Sequence, residues 1–283
     1  MAERGYSEGA DMMSIDLIAL DLDGTLLSAG DDVSPANRRA VRAALDAGIR
    51  VVLVTGRGAD LPARLVSNLK LNVPSICAHG ALTKDFLAGR TLGHIPVPLA
   101  HARPMIAFAE RLRLDVAVYF EERFHRLEGS TLHMEDMRGP HWREVSSLSS
   151  VLTAPPTFIR FMGRRSVEAM RAAFATLPLH FKYEEWGEFE ECAVTSREAT
   201  KERALALLCA DLGIASERVL AIGDSRNDVP MLQWAGVGVA MGNAPADVRH
   251  AIDRVTSRCD EDGVARAIAR YAFGRQHAEE KSA

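Results

Sequence analysis

The run Ile18-Ala19-Leu20-Asp21-Leu22-Asp23-Gly24-Thr25-Leu26 sets two carboxylates two residues apart where an apolar segment gives way to a glycine turn. Side chains i and i+2 of a strand lie on the same face. Asp21 and Asp23 therefore reach one small volume at the end of a predicted strand, Asp16 to Leu20, where their charges repel unless a cation or a separate role for each offsets the cost. A divalent metal and a phosphoryl group suit such a place.

Working outward, the chain alternates strand and helix. Ser34 caps a predicted helix from Pro35 to Ala47, Pro35 fits its first position and Gly48 ends it. A strand from Ile49 to Val54 follows, then a helix from about Ala59 that tolerates Pro62 in its first turn, then a strand from Ser75 to Ala78. This rhythm predicts a parallel sheet with right-handed crossovers. From Thr83 to about Thr195 it changes to paired strands, Val116 to Glu121 with Phe124 to Glu128 and His180 to Glu185 with Glu188 to Val194, the latter joined at Trp186-Gly187. A strand at Phe158 to Met162 and a helix from Ser166 to Leu177 lie between the two pairs. After Ala199 the alternation returns, with a helix to Leu212, strands at Val219 to Ile222 and Val237 to Ala240, and helices from Asp228 and near Pro245 and Gly263. The expected fold is α/β: a doubly wound, Rossmann-like core from residues 1–82 and 195–283, interrupted by an α+β domain at 83–194.

At 283 residues the chain is long enough for two domains, and 47% hydrophobic with 25% charged residues is ordinary for a soluble enzyme. A net charge of -4 gives no electrostatic footprint for nucleic acid or an anionic membrane, and Arg160 with Arg164 and Arg165 is too small a patch to alter that. Cys77, Cys192, Cys209 and Cys259 are scattered, without a CxxC pair or zinc-finger spacing, and read as reduced cytosolic thiols. The first residues have no secretory pattern and no run is long enough to span a bilayer, so a cytoplasmic location is expected. The first dozen residues and the tail from Gly274 are expected to be unstructured. The expected partner is a small molecule; the sequence says nothing of oligomeric state.

Four elements fall at predicted strand ends or helix starts, where open α/β sheets bind ligands. They are Asp21-Leu22-Asp23-Gly24-Thr25, Val54-Thr55-Gly56-Arg57, Lys201, and Gly223-Asp224-Ser225-Arg226-Asn227-Asp228. Each alone has a plain reading: a solvated turn, a simple Thr-Gly-Arg turn, a surface lysine, a capped helix. A calcium loop of the EF-hand type is excluded, because its glycine belongs at position six and here stands at position four. The four together, in this order, point to a catalytic constellation.

The order DLDGTL, VTGR, a helix-initial lysine and GDSRNDVPML resembles the haloacid dehalogenase-like superfamily, and within it the Cof-like (subclass IIB) phosphatases with a type-II cap inserted between the second and third motifs. Met241-Gly242-Asn243-Ala244 and Glu261-Asp262-Gly263-Val264-Ala265 resemble downstream signatures of that branch. The resemblance implies a phosphatase for a small phosphorylated metabolite, a sugar phosphate or a phosphorylated cofactor. Asp21 is then the nucleophile that forms an aspartyl-phosphate, and Asp23 the general acid and base with a pKa raised by its neighbours. Mg²⁺ is held by the Asp21 carboxylate, the Asp23 backbone carbonyl and Asp224, with Asp228 as direct or water-mediated support. Thr55 and the amides of Leu22 and Gly56 bind phosphoryl oxygens, while Lys201 and Asn227 add charge and a donor. Arg57 either meets the leaving group or forms a salt bridge with an acidic residue such as Asp60 or Asp85. A phosphotransferase or mutase shares this chemistry, and a non-catalytic phosphometabolite sensor is the alternative of a different class.

Two positions depart from the branch. His79 stands in His79-Gly80-Ala81 where the pattern has Asn, and it is a substrate contact, a group titrating near neutrality, or structural. Glu202 follows the motif lysine where glycine is usual and complements the helix dipole. In the insert, Tyr119, Phe120, Phe124, His125, His133, His141 and Trp142 either line a pocket over the site or form the insert's core.

Overall fold

A computed structural model of the chain describes residues 14–28, 30–130, 141–186 and 189–274. The amino-terminal elements are β1 (Leu17–Leu20), α1 (Pro35–Asp46), β2 (Arg50–Leu53), α2 (Asp60–Leu69), β3 (Ser75–Cys77), β4 (Leu82–Asp85) and β5 (Arg90–His94). The middle of the chain forms α3 (Leu99–Leu112), β6 (Val116–Phe120), β7 (Arg123–Leu127), β8 (Trp142–Val145), α4 (Leu148–Val151), β9 (Phe158–Met162), α5 (Arg164–Phe174), β10 (Leu179–Trp186) and β11 (Phe189–Ser196). The chain then returns through α6 (Lys201–Leu212), β12 (Val219–Gly223), α7 (Val229–Trp234), β13 (Val237–Ala240), α8 (Ala246–Ala251) and α9 (Gly263–Tyr271).

The core is a parallel sheet of order β13-β12-β1-β2, which β3 joins through a parallel bridge between Val54 and Ile76. Alternation along β1 divides its side chains between two layers of helices. Ile18 and Leu20 pack with Val41 of α1, Leu65 of α2 and Ile268 of α9, whereas Leu17 and Ala19 face Leu208 of α6, Met231 of α7 and Val248 of α8. Ser34 caps α1 by accepting from the Asn37 amide at 3.1 Å, and Gly48 takes a φ of +82° just past its end. The chain leaves β1 toward β2 on one side and returns to β12 on the other, so the carboxyl ends of β1 and β12 flank the crevice where such sheets bind ligands.

A hairpin not anticipated from the sequence, β4 and β5, pairs with β3 and extends the core edge. Most side chains of β5 are exposed, which removes the apolar alternation that announces a strand. The six-stranded sheet of the insert, β10-β11-β9-β6-β7-β8, is antiparallel except for the β7–β8 pair. One face, with Val116, Val118, Ile159, Phe161 and Val194, packs on Met105 and Ile106 of α3 and Val167 and Met170 of α5. The other carries Ala117, Tyr119, Phe124, Phe158, Met162 and Ala193 and packs on Ala78, Ala81 and Ala199 of the core.

The insert's aromatics are thus divided between these faces. Tyr119 stacks on Phe158 with centroids 3.9 Å apart, and Phe124 and Trp142 complete that cluster. Phe120 packs with the helices on the other side, His125 meets its ring edge, and His141 lies 4.0 Å from Asp60. His133, Gly187 of the expected turn and most of both termini lie outside the described residues. No helix among the described residues is long and apolar enough to cross a membrane.

Candidate active site

Asp21 ends β1, its amide donating to the Ile222 carbonyl of β12 at 3.0 Å. The turn that follows closes with Thr25 and Leu27 amides donating to the Leu22 carbonyl at 3.1 and 2.9 Å. Gly24 occupies the left-handed region at φ +73°, and a Cβ there would sit 2.2 Å from Asp224 Oδ2, so only glycine lets the two loops meet. From the opposite sheet edge, Asn243 Nδ2 donates to the Gly24 carbonyl at 2.8 Å and to Asp224 Oδ2 at 3.3 Å.

Lys201 is the first residue of α6, which Thr200 caps by accepting from the Arg203 amide. Its Nζ lies 2.6 Å from Asp21 Oδ1 and 2.6 Å from Asp228 Oδ1, with all three side chains buried. The other oxygen of Asp228 accepts from the Asp224 amide, the Ser225 amide and the Ser225 hydroxyl at 2.8 to 3.1 Å. Both of its oxygens are engaged, so Asp228 fixes the loop after β12 and holds Lys201 at once. The approach of α6 depends on Gly80, whose φ is +98° and whose absent Cβ would lie 2.2 Å from the Thr200 carbonyl.

Asp21, Asp224 and Asp228 each bring a carboxylate oxygen within 4.8 Å of the others. Three carboxylates face one ammonium, which leaves the cluster with excess negative charge. Burial works against the charge of Lys201, but Asp21 and Asp228 outweigh it and push its pKa up. Burial pushes the Asp21 carboxyl well up, against the Lys201 ammonium and with the help of Asp228 and Asp224. Burial and then Asp228 bring Asp224 up to about 7. An all-oxygen cluster with uncompensated charge fits a hard divalent cation.

Asp23 behaves differently from the sequence expectation. Its carboxylate is about half exposed and is gripped by Arg57 at 2.6 to 3.1 Å, instead of being enclosed with the other carboxylates. Arg57 also reaches Asp31 at 3.0 Å, and Asp31 reaches Arg64 at 3.1 Å. Asp23 and Asp31 are thus acidic partners of Arg57, while Asp60 faces His141 and Asp85 lies 4.0 Å from Arg90. Thr55 is fully buried and its hydroxyl oxygen accepts from the Arg57 amide at 3.1 Å, which leaves its O–H as a donor.

His79 is buried at φ +58° and its ring packs where a Cβ on Gly56 would lie, 2.3 Å from Cε1. The Asn227 amide lies 3.4 Å from His79 Nδ1 and 2.6 Å from the Ser225 hydroxyl, whose single proton it shares with Asp228. Burial, followed by the charges of Lys182, Lys201 and Arg160, holds the imidazole pKa well below the usual range. Burial thus favours the neutral form of His79, whose ring sits beside Asn227. Ser225, Asn243 and Asp31 have no role in the sequence reading; Ser225 and Asn243 sat unused inside quoted motifs, whereas nothing local marked Asp31.

The model of the haloacid dehalogenase-like hydrolase family matches residues 18–268. Phosphatase YwpJ of Bacillus subtilis is 31% identical over 88% of this chain and 97% of its own. The 5-amino-6-(5-phospho-D-ribitylamino)uracil phosphatase YcsE of the same organism is 30% identical over 92% and 97%. A solved haloacid dehalogenase-like hydrolase from Bacteroides thetaiotaomicron superposes with a TM-score of 0.79 at 27% identity, covering 91% of this chain and 99% of that one. The chain belongs to the haloacid dehalogenase-like hydrolases, and within them to the phosphatases.

Proposed function

We propose that this phosphatase hydrolyses a small phosphorylated metabolite, a sugar phosphate or a phosphorylated cofactor, with Mg²⁺ and through an aspartyl-phosphate. The observation that carries the reading is the buried bridge from Lys201 to Asp21 and Asp228 beside Asp224, at the carboxyl ends of the central strands. Lys201 holds Asp21 Oδ1 and leaves Oδ2 to attack phosphorus, opening the ester P–O bond and forming an acyl-phosphate. Asp23 donates a proton to the departing oxygen, then takes one from the water that cleaves the acyl-phosphate and releases inorganic phosphate. To reach that oxygen Asp23 exchanges its contact with Arg57 for one with substrate. Thr55, the Leu22 and Gly56 amides, Asn227 and Lys201 hold the phosphoryl oxygens as charge spreads over them. Asp21, the Asp23 carbonyl and Asp224, with Asp228 as direct or water-mediated support, would hold Mg²⁺, which would supply the positive charge that lets an anionic nucleophile approach an anionic ester. The core, 1–82 and 195–283 with the β4–β5 hairpin on its edge, carries the chemistry, and the rest of the 83–194 insert caps it.

Phosphate release from 4-nitrophenyl phosphate tests the reading. Release should require Mg²⁺, stop with EDTA and be absent in Asp21→Asn; release that persists in that variant sinks the nucleophile assignment.

A further inference from the structure

One face of the cap sheet looks onto the catalytic loops, and charged residues stand on it beside the aromatic cluster. Lys182 is opposite Ala193, Ala193 opposite Arg160 and Arg160 opposite Ala117, while Glu184 is opposite Glu191 and Glu191 opposite Met162. Cross-strand partners share a face, and Ala117, Met162 and Ala193 belong to the cluster packed on the core. Lys182, Glu184, Arg160 and Glu191 therefore point toward the site. Their electrostatic neighbours agree: Glu191 feels Arg57 and Asp23, Glu184 feels Asp23 and Lys201, and Lys182 feels Lys201 and Asp228.

Two atoms in this group stand out. The Glu191 side chain is 3% exposed and its Oε2 has no hydrogen-bond partner among the described residues; Arg160 Nε is buried and also lacks one. Arg160 Nε and Glu191 Oε1 form an ion pair at 3.6 Å, too long for a hydrogen bond. The Arg160 guanidinium is held in place over the rings of Tyr119 and Phe158, at 5.6 and 5.7 Å. A buried donor beside a buried acceptor, both unsatisfied, marks a place that a ligand completes.

We propose that Arg160 and Glu191 read the substrate's leaving group, and that this group is neutral and hydroxylated, a sugar or polyol whose hydroxyl donates to Glu191 Oε2 and accepts from Arg160 Nε. The assignment rests on the phosphatase reading above. A hydroxyl satisfies both atoms at once. A second anion on the substrate meets Glu184 and Glu191, a cation meets Arg160 and Lys182, and an alkyl group leaves both orphans buried and unpaired. Hydroxyls are distinguished from their absence far better than one methylene from none, because the site's own polar groups bear the penalty.

The test compares kcat/KM for a pentitol 5-phosphate with that for pentyl phosphate, using the full chain with Mg²⁺ and 4-nitrophenyl phosphate as a third substrate. The wild type should favour the pentitol ester on the order of 100-fold or more, and Glu191→Gln and Arg160→Met should each reduce that ratio about tenfold. A purely structural role lowers both esters together and leaves the ratio standing, which overturns the assignment. So does a wild-type ratio within threefold of unity, a result that needs no variant to fold. No release from any of the three, the aryl ester included, sinks the phosphatase reading itself and this assignment with it.

Discussion

Replacing Lys201 with Met removes an ammonium but keeps the apolar stem that fills its place at the start of α6. Nζ sits 2.6 Å from both Asp21 and Asp228, whose side chains are 6% and 0% exposed. Removing one partner of a buried ion pair leaves charge uncompensated and costs roughly 3–5 kcal/mol. At an m-value of about 2 kcal/mol/M this moves the urea midpoint of the core down by about 2 M. The experiment belongs in EDTA, so that no cation substitutes for the lysine. Its pH dependence has a definite sign. Burial already pushes Asp21 up, and losing Lys201 pushes it further; a carboxyl raised in the folded state gives stability that is present at low pH and lost as pH rises. The deficit of the variant should therefore be larger at pH 8 than at pH 5, and adding Asp228→Asn should recover part of it by removing one repelling charge. An unchanged midpoint at pH 8, or a deficit that grows as pH falls, would refute the reasoning.

Gly80→Ala adds a Cβ 2.2 Å from the Thr200 carbonyl at φ +98°, so it should cost roughly 1–3 kcal/mol and lower kcat on the order of 100-fold by displacing Lys201. Gly48→Ala, at φ +82° with nothing within 4 Å of the new methyl, should lose stability in urea denaturation while keeping full activity. In EDTA, wild-type stability should fall as pH rises from about 4 to about 7, because Asp224 is held up to about 7 in the folded state against an ordinary carboxyl value near 3.8. Denaturation at pH 5 and pH 7.5 should show that slope without Mg²⁺ and a flatter one with it; a flat metal-free profile would contradict the carboxylate cluster.

The core was legible because each of its signals is local. Apolar runs ending in Asp21, Val54 and Gly223 announce parallel strands, Ser34-Pro35 and Gly48 bracket a helix, and carboxylates at strand ends announce a polar crevice. The β4–β5 hairpin was not legible, because exposed polar side chains on β5 erase the alternation that betrays a strand. The same limit applied to Asp31, whose place opposite Arg57 depends on how a loop folds back.

The sequence by itself determined which chemical groups reach the carboxyl ends of the central strands, since strand period and motif order dictate that much. It also determined that the carboxylates carry more charge than one lysine offsets. Tertiary structure alone decided how those groups pair: Lys201 joins Asp21 to Asp228 across 180 and 27 residues of chain, Asp23 turns out to Arg57, and burial favours the neutral form of His79 beneath the cap. It also decided that Arg160 and Glu191, on strands distant in sequence, bring an unpaired donor and acceptor over the site. Such pairings follow from distances and burial between segments far apart in the chain, which no local pattern of residue types encodes.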